Sequence, residues 1–388
     1  MAPTVSGVLA ILAAIGAGGA LAGVAAAARR SLTPGYSPEY DISPLVVTDE
    51  EIEFKSTKRT CTPGIFGLHL LGKDEPAIIG PVIARTEHVV RRRLLRKPAS
   101  LSTKSKCRWS GIVASTPGSP FRDVEIPTSL GPAPAWFVEG DSNEWAIHVH
   151  GQGSDRRQTL RGVATATALG LNSLIISYRN DGKGPRSTEG LSHLGESEWH
   201  DLDDALHFIA ARGATQCIVF GWSLGATLAM NTLQRSGISS MIAGIVMVAP
   251  VLSWEAALRS NANHQGWPRV LGTSVTLLLG LPGISRLVGL SEPLNIRKAD
   301  AARLEGPLRT PILILHNVND WSVPFETSRQ FAQRRGPGVE LVEFDCSGHT
   351  QEWNSDPIRW DLAVRRWYGG LLQTDTAGDT SKATAGEL

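Results

Sequence analysis

The stretch CIVFGWSLGATLAMNTL, residues 217–233, decides how the fold is read. Cys217 to Phe220 is a short, unbroken apolar run, the pattern of a strand buried on both faces. Ala226 to Leu233 is rich in Ala, Leu and Met and reads as a helix. Between them, Gly221-Trp222-Ser223-Leu224-Gly225 fits G-x-S-x-G, a sharp strand-to-helix turn that exposes its serine at the edge of a sheet. Glycines are required there because a Cβ would clash where the chain folds back on itself. In a chain with 40 glycines the pattern alone is only suggestive. Its place between a strand and a helix gives it weight.

Working outward, apolar strands alternate with amphipathic helices. The strands are expected at Trp145 to Val149, Ser173 to Tyr178, Cys217 to Phe220, Ile245 to Val248, Ile312 to Leu315 and Glu340 to Phe344. Such runs, without polar alternation, suit a parallel sheet covered by helices on both faces, an α/β class. Ser154-Asp155 opens a helix that Gly170 closes. Glu196 to Arg212, closed by Gly213, forms another, and Asp356-Pro357 starts a last one. Ahead of them, Phe121 to Pro127 and Pro132 to Val138 read as a β-hairpin. The 60 or so residues between Val248 and Ile312 exceed any ordinary loop. They are expected to form a helical cap at about 251–310.

A serine hydroxyl needs a base to take its proton, and the base needs an acid to orient it. Asp320 follows the strand at Ile312 to Leu315 in HNVNDWSVP, and His349 follows Glu340 to Phe344 in DCSGHT. Ser223, Asp320 and His349 therefore all lie at the C-terminal ends of parallel strands, where loops converge. Glu255 is the competing acid, and Asp345 is less well placed. For an oxyanion, the candidate donors are the backbone N–H of Leu224, at a helix N-terminus, and that of Gln152 in the turn His150-Gly151-Gln152-Gly153. His150 is expected to support that turn. Dinucleotide binding is not expected, because the turn lacks a third glycine and no acid closes the next strand. His200, Asp201, Asp203 and Asp204 read as a solvated or capping helix face rather than a metal site. Trp222 is expected either to line an acyl pocket or to pack inward.

Together the HGQG turn, the GWSLG elbow, the NDWSVP loop and the SGHT loop resemble the α/β-hydrolase superfamily over residues 121–371. With SYRNDGKGPRSTEG and GESEWHDLDDAL, the chain looks most like the branch of serine hydrolases that carry one N-terminal membrane helix. The resemblance implies hydrolysis of an ester, thioester or amide through an acyl-enzyme, with no metal and no organic cofactor. A carboxylic ester of a lipid or hydrophobic acyl substrate is the expected target. Acyl transfer, peptide hydrolysis, and a non-catalytic membrane binding module are the alternatives.

Nothing between Met1 and Ala28 is charged, and Arg29 and Arg30 follow. A helix of that length crosses a hydrocarbon core of roughly 30 Å. Residues 1–30 are therefore expected to be a single-pass transmembrane anchor holding the body on the cytoplasmic side, with a cleaved signal peptide as the alternative. Residues 31–50 read as a linker, 51–120 as a small β-rich unit, and 372–388 as a disordered tail. The run RRRLLRK at Arg91 to Lys97 reads as a solvated strand end or as a contact for anionic headgroups. With 38 Lys+Arg against 37 Asp+Glu among 388 residues, nucleic acid is not an expected partner. Cys61, Cys107, Cys217 and Cys346 show no redox or zinc spacing, although Cys61 and Cys107 would bridge in an oxidising compartment.

Overall fold

The computed structural model describes residues 22–34, 39–267, 269–282, 284–296, 300, 308–346 and 348–383. The first sheet is formed by β1 (Val46–Val47), β2 (Glu51–Lys55), β3 (Phe66–Leu70), β4 (Ala77–Arg85), β5 (Val89–Arg96) and β6 (Cys107–Ser110), in the order β1-β2-β5-β4-β3-β6. Every pairing in it is antiparallel. Period-2 alternation explains the basic run: Val90, Arg92 and Leu94 point inward, while Arg91 and Arg93 point out. Arg91 pairs with Glu53 at 2.9 Å, Arg93 with Glu50 at 3.1 Å and Lys97 with Asp49 at 2.7 Å. Arg92 is buried, donating to the carbonyls of Gly80, Thr60, Thr62 and Gly64 and lying 5.2 Å from the Trp109 ring. The run is thus a paired strand whose central cation is out of reach of headgroups. All four cysteines are free.

The second sheet contains β7 (Phe121–Ile126), β8 (Ala133–Val138), β9 (Trp145–Val149), β10 (Asn172–Ile176), β11 (Cys217–Trp222), β12 (Ile242–Val248), β13 (Ile312–Asn317) and β14 (Val339–Phe344). Its order is β14-β13-β12-β11-β9-β10-β8-β7. The hairpin β7–β8 joins antiparallel, and the other six strands run parallel. Successive strand residues serve opposite layers: Val219 and Ile314 face one apolar cluster, and Phe220 and Leu313 face another that includes Trp360, Val364 and Trp367 of the last helix. Between β12 and β13 the cap supplies helices Trp254–His264, Arg269–Leu279 and Ile284–Leu287, with Trp254, Val275 and Leu279 buried in the first cluster.

At the termini the described residues bear on the expected anchor only in part, and they differ from the expected linker and tail. Among the described residues, no helix is long and apolar enough to cross a membrane. Residues 1–21, where most of the expected anchor falls, lie outside the described residues. Residues 22–32 are helical, and their later turns belong to the body built on the second sheet: Ala28 and Leu32 are fully buried, and Arg29 donates to the Val288 carbonyl of the cap at 2.7 Å. Ala and Leu side chains satisfy a protein core as readily as a lipid one, so within residues 22–32 the absence of charge goes with packing against protein.

The expected linker at 31–50 is partly structured, since Ile42 exchanges two backbone hydrogen bonds with Cys107 and Val46–Val47 pairs with β2. Of the expected tail at 372–388, residues 372–383 instead continue the helix Pro357–Ala383, and residues 384–388 lie outside the described residues. No proline interrupts that stretch, and an established helix gains one hydrogen bond per added residue.

Candidate active site

The turn after β11 holds Ser223 at φ 54° and ψ −112°, a left-handed conformation that a non-glycine residue adopts only when its surroundings impose it. They do so through two glycines. A Cβ on Gly225 would lie 2.3 Å from the Val149 carbonyl oxygen, and one on Gly221 would lie 2.6 Å from the Ala226 nitrogen. The Ser223 N–H donates to Val248 O at 2.9 Å, tying the turn to the neighbouring strand. The helix Leu224–Arg235 starts directly after it.

Two loops from β13 and β14 meet this serine. His349 Nε2 lies 2.8 Å from Ser223 Oγ, and His349 Nδ1 lies 2.6 Å from Asp320 Oδ2. The Asp320 carboxylate is buried, while the imidazole keeps 19% exposure. Asp320 Oδ1 accepts from the N–H groups of Ser322 (2.8 Å) and Val323 (3.0 Å). Burial would raise the Asp320 carboxyl, but the charges and hydrogen bonds of His349 and His316 outweigh it and hold the group well below the usual carboxylate range. Burial opposes the imidazolium of His349, whereas the adjacent Asp320 charge and hydrogen bond raise its affinity for a proton. Such a line of serine, imidazole and carboxylate is what general-base activation of a hydroxyl needs.

Of the competing acids, Glu255 sits in the first turn of the cap helix Trp254–His264, and Asp345 accepts from Asn319 Nδ2 at 2.7 Å. It is Asp320 that meets His349. Gln152 and Leu224 lie in the two turns bordering Ser223, and a Cβ on Gly151 would stand 3.0 Å from Ser223 Cβ. Among the described residues neither the Gln152 nor the Leu224 N–H is taken by an acceptor. The Gln152 side chain is turned away, donating to Ser31 O at 2.7 Å. His150 supports this turn from beneath, its ring nitrogens 2.9 Å from Gly151 O and 2.9 Å from Asp181 Oδ2.

With this geometry in view, residues 146–360 match the model of the alpha/beta hydrolase family, more than half of the chain. The chain belongs to that family. Residues 45–110 of the hydrolase match a domain of unknown function, DUF8805, a span that coincides with the first sheet. No curated protein matches the sequence. Among solved structures, an esterase from Pyrococcus furiosus is 21% identical over 66% of this chain and 92% of its own, with a TM-score of 0.50. An esterase from Rhodococcus sp. is 20% identical over 65% of this chain and 99% of its own, with a TM-score of 0.43. At 21% identity the likeness to the Pyrococcus furiosus esterase is one of fold.

The hydrolase also uses residues that sequence reasoning passed over. His316, fully buried, sets Nε2 3.3 Å from Asp320 Oδ2 and Nδ1 2.7 Å from Ser328 Oγ, so the acid stands between two histidines. Glu352, three residues after His349, is fully buried; Oε1 accepts from the Asn317 N–H at 3.0 Å. Burial first, and then the Asp320 charge, push its carboxyl up to about 7. Arg161 is buried behind Trp222, with its guanidinium 4.3 Å from the indole centre. Trp222 itself packs inward against Trp360 and lines no pocket. On the helix Trp199–Ala210, Asp201 is buried against Arg179 at 2.7 Å rather than solvated. A histidine at the end of a strand or a charge inside a helix carries no local mark of burial, and nothing in the sequence would have singled these out.

Proposed function

We propose that the chain is a serine hydrolase that cleaves carboxylic esters. Ser223 attacks the acyl carbonyl, His349 accepts its proton and passes it to the departing alkoxide, and Asp320 orients and stabilises the imidazolium. The N–H groups of Leu224 and Gln152 stabilise the tetrahedral oxyanion. Water, activated by the same imidazole, then releases the acyl-enzyme. The observation that carries this reading is the continuous line from Ser223 Oγ through His349 to Asp320, at 2.8 and 2.6 Å. Supporting it, the strain at Ser223 would have no structural use in an inert turn.

The substrate is a hydrophobic acyl ester. Cap residues Trp254, Val275, Leu279 and Leu294, which join the main apolar cluster, support an apolar surround for the acyl chain. The hydrolase works at a membrane with its body on the cytoplasmic side, a reading supported by the absence of charge from Met1 to Leu21, ahead of the helix that packs on the body, and by Arg29 and Arg30 after it.

A fluorophosphonate probe is expected to label the wild type and not Ser223→Ala, and p-nitrophenyl esters of graded length are expected to be hydrolysed with a preference for longer acyl chains. A folded wild type that resists the probe would end the serine-hydrolase reading. A reporter fused to the C-terminus that is active only outside the cytoplasm would overturn the orientation.

A further inference from the structure

The first sheet has no assigned role, yet it is bonded to the loop that carries His349. The Ile65 N–H donates to Asn354 O at 2.8 Å, and Asn354 Nδ2 donates to Ile65 O at 2.7 Å and Gly111 O at 2.9 Å. Gly64, at φ +111°, lets the backbones close: a Cβ there would lie 2.0 Å from Asn354 O. Asn354 is fully buried, and its remaining side-chain oxygen accepts from Arg161 Nη1. The same Nη1 donates to Thr350 O at 2.6 Å, and Arg161 Nε donates to Gln158 O at 3.0 Å. Thr350 follows His349 directly and has a left-handed backbone, φ 56°. Gln158 in turn accepts from the Gly151 N–H at 2.7 Å, in the turn that carries Gln152.

We propose that the N-terminal sheet is a positioning device for the active site: through Asn354 it seats the Arg161 guanidinium, which fixes the His349 loop and the Gln152 turn relative to Ser223. This rests on the reading of Ser223, His349 and Asp320 as the reacting groups. Arg161 and Asn354 are positioning residues and touch no substrate. A guanidinium is a rigid planar fork, so one seated cation sets the spacing of every carbonyl it holds. Among the described residues Arg161 has no carboxylate partner at ion-pair distance, and burial pulls it down to about 9, with the Glu352 charge acting against that. A buried cation without a paired anion depends on carbonyl acceptors at fixed positions, and the first sheet stabilises one of them. The arrangement also reaches His349 electrostatically. Besides Arg161, which lowers its proton affinity, the imidazole faces Asp320 and Glu352, which raise it, and Asp320 is backed by His316.

The mildest perturbation comes from the sheet side. A Cβ on Gly111 would stand 2.9 Å from Arg161 Nη1 and 3.0 Å from Asn354 Oδ1, both ends of side chains that yield by tenths of an ångström. In the full chain, Gly111→Ala is expected to lower kcat for p-nitrophenyl butyrate about tenfold with KM within about twofold, because the groups that react are misplaced while binding is not. Pushing the cation away raises the His349 pKa, so the acid limb of kcat/KM moves to higher pH. Arg161→Lys, which keeps the charge and loses the fork, is expected to lower kcat without moving that limb. If both variants, folded by circular dichroism and labelled by fluorophosphonate at the wild-type rate, keep kcat and the pH profile unchanged, the positioning role is wrong and the serine-hydrolase reading stands. A wild type that the probe does not label defeats the underlying reading instead.

Discussion

Glu352→Gln offers a quantitative test of the site's electrostatics. Glu352 is fully buried beside Asp320 and His349; Oε1 accepts from the Asn317 N–H, and among the described residues Oε2 has no hydrogen-bond partner. Its carboxyl moves from the ordinary 4.5 to about 7, through burial first and the Asp320 charge second. At 1.36 kcal/mol per pH unit, that displacement means the ionised form costs the fold about 3 kcal/mol. Because the folded value lies above the unfolded one, the stability tied to this group is fully present below about pH 4.5. It is lost as pH rises and gone above about 7. Glutamine keeps the Oε1 acceptor and stays neutral at every pH. Urea unfolding of both proteins is therefore expected to give a stability difference that grows in favour of Glu352→Gln by about 3 kcal/mol between roughly pH 4.5 and 8.5. Titrating groups that do not feel the Glu352 charge drop out of the difference. The ionised Glu352 also raises His349, so the variant's acid limb of kcat/KM is expected at lower pH. Stability curves that run parallel across this range would refute the assignment of a neutral, desolvated carboxyl behind His349.

Asp320→Asn is expected to lower kcat by about four orders of magnitude, since the imidazole loses both its orientation and its counter-charge, whereas Glu255→Gln is expected to leave kcat within about twofold. The reverse pattern in steady-state ester hydrolysis would move the acid to Glu255. Leu32→Ala, at a fully buried position in the main core, is expected to destabilise the chain by about 2–5 kcal/mol in urea unfolding. A loss under about 0.5 kcal/mol would show that the helix at residues 22–32 is not part of the folded body.

What was legible in the sequence and what was not divide along the distance over which each feature is determined. The elbow is written within five residues: Gly221 and Gly225 are glycines because the Ala226 nitrogen and the Val149 carbonyl stand where their side chains would be. Asp320 and His349 were legible because each follows an apolar run, and parallel strands in one sheet deliver their C-terminal loops to one edge. By contrast, Arg161 and Thr350 meet across 189 residues, and Asn354 and Ile65 across 289. Within its own helix, Arg161 is a polar residue between Leu160 and Gly162, where solvent would be the natural expectation. Distant partners turn that side inward: Thr350, and Asn354 held by the first sheet. Arg92 follows the same logic, since the charged run read as solvated or as a headgroup contact, and nothing local said that four carbonyls would be waiting for one of its arginines. The helix at residues 22–32 shows the complementary failure: absence of charge marks a segment for burial without saying whether lipid or protein receives it. Buried cations and docked apolar turns are therefore where a second structural unit leaves its imprint on the first, and here Ser31, Asn354 and Arg161 bring those imprints to the Gln152 turn and the His349 loop. A unit that contributes none of the reacting groups can still set how accurately they meet.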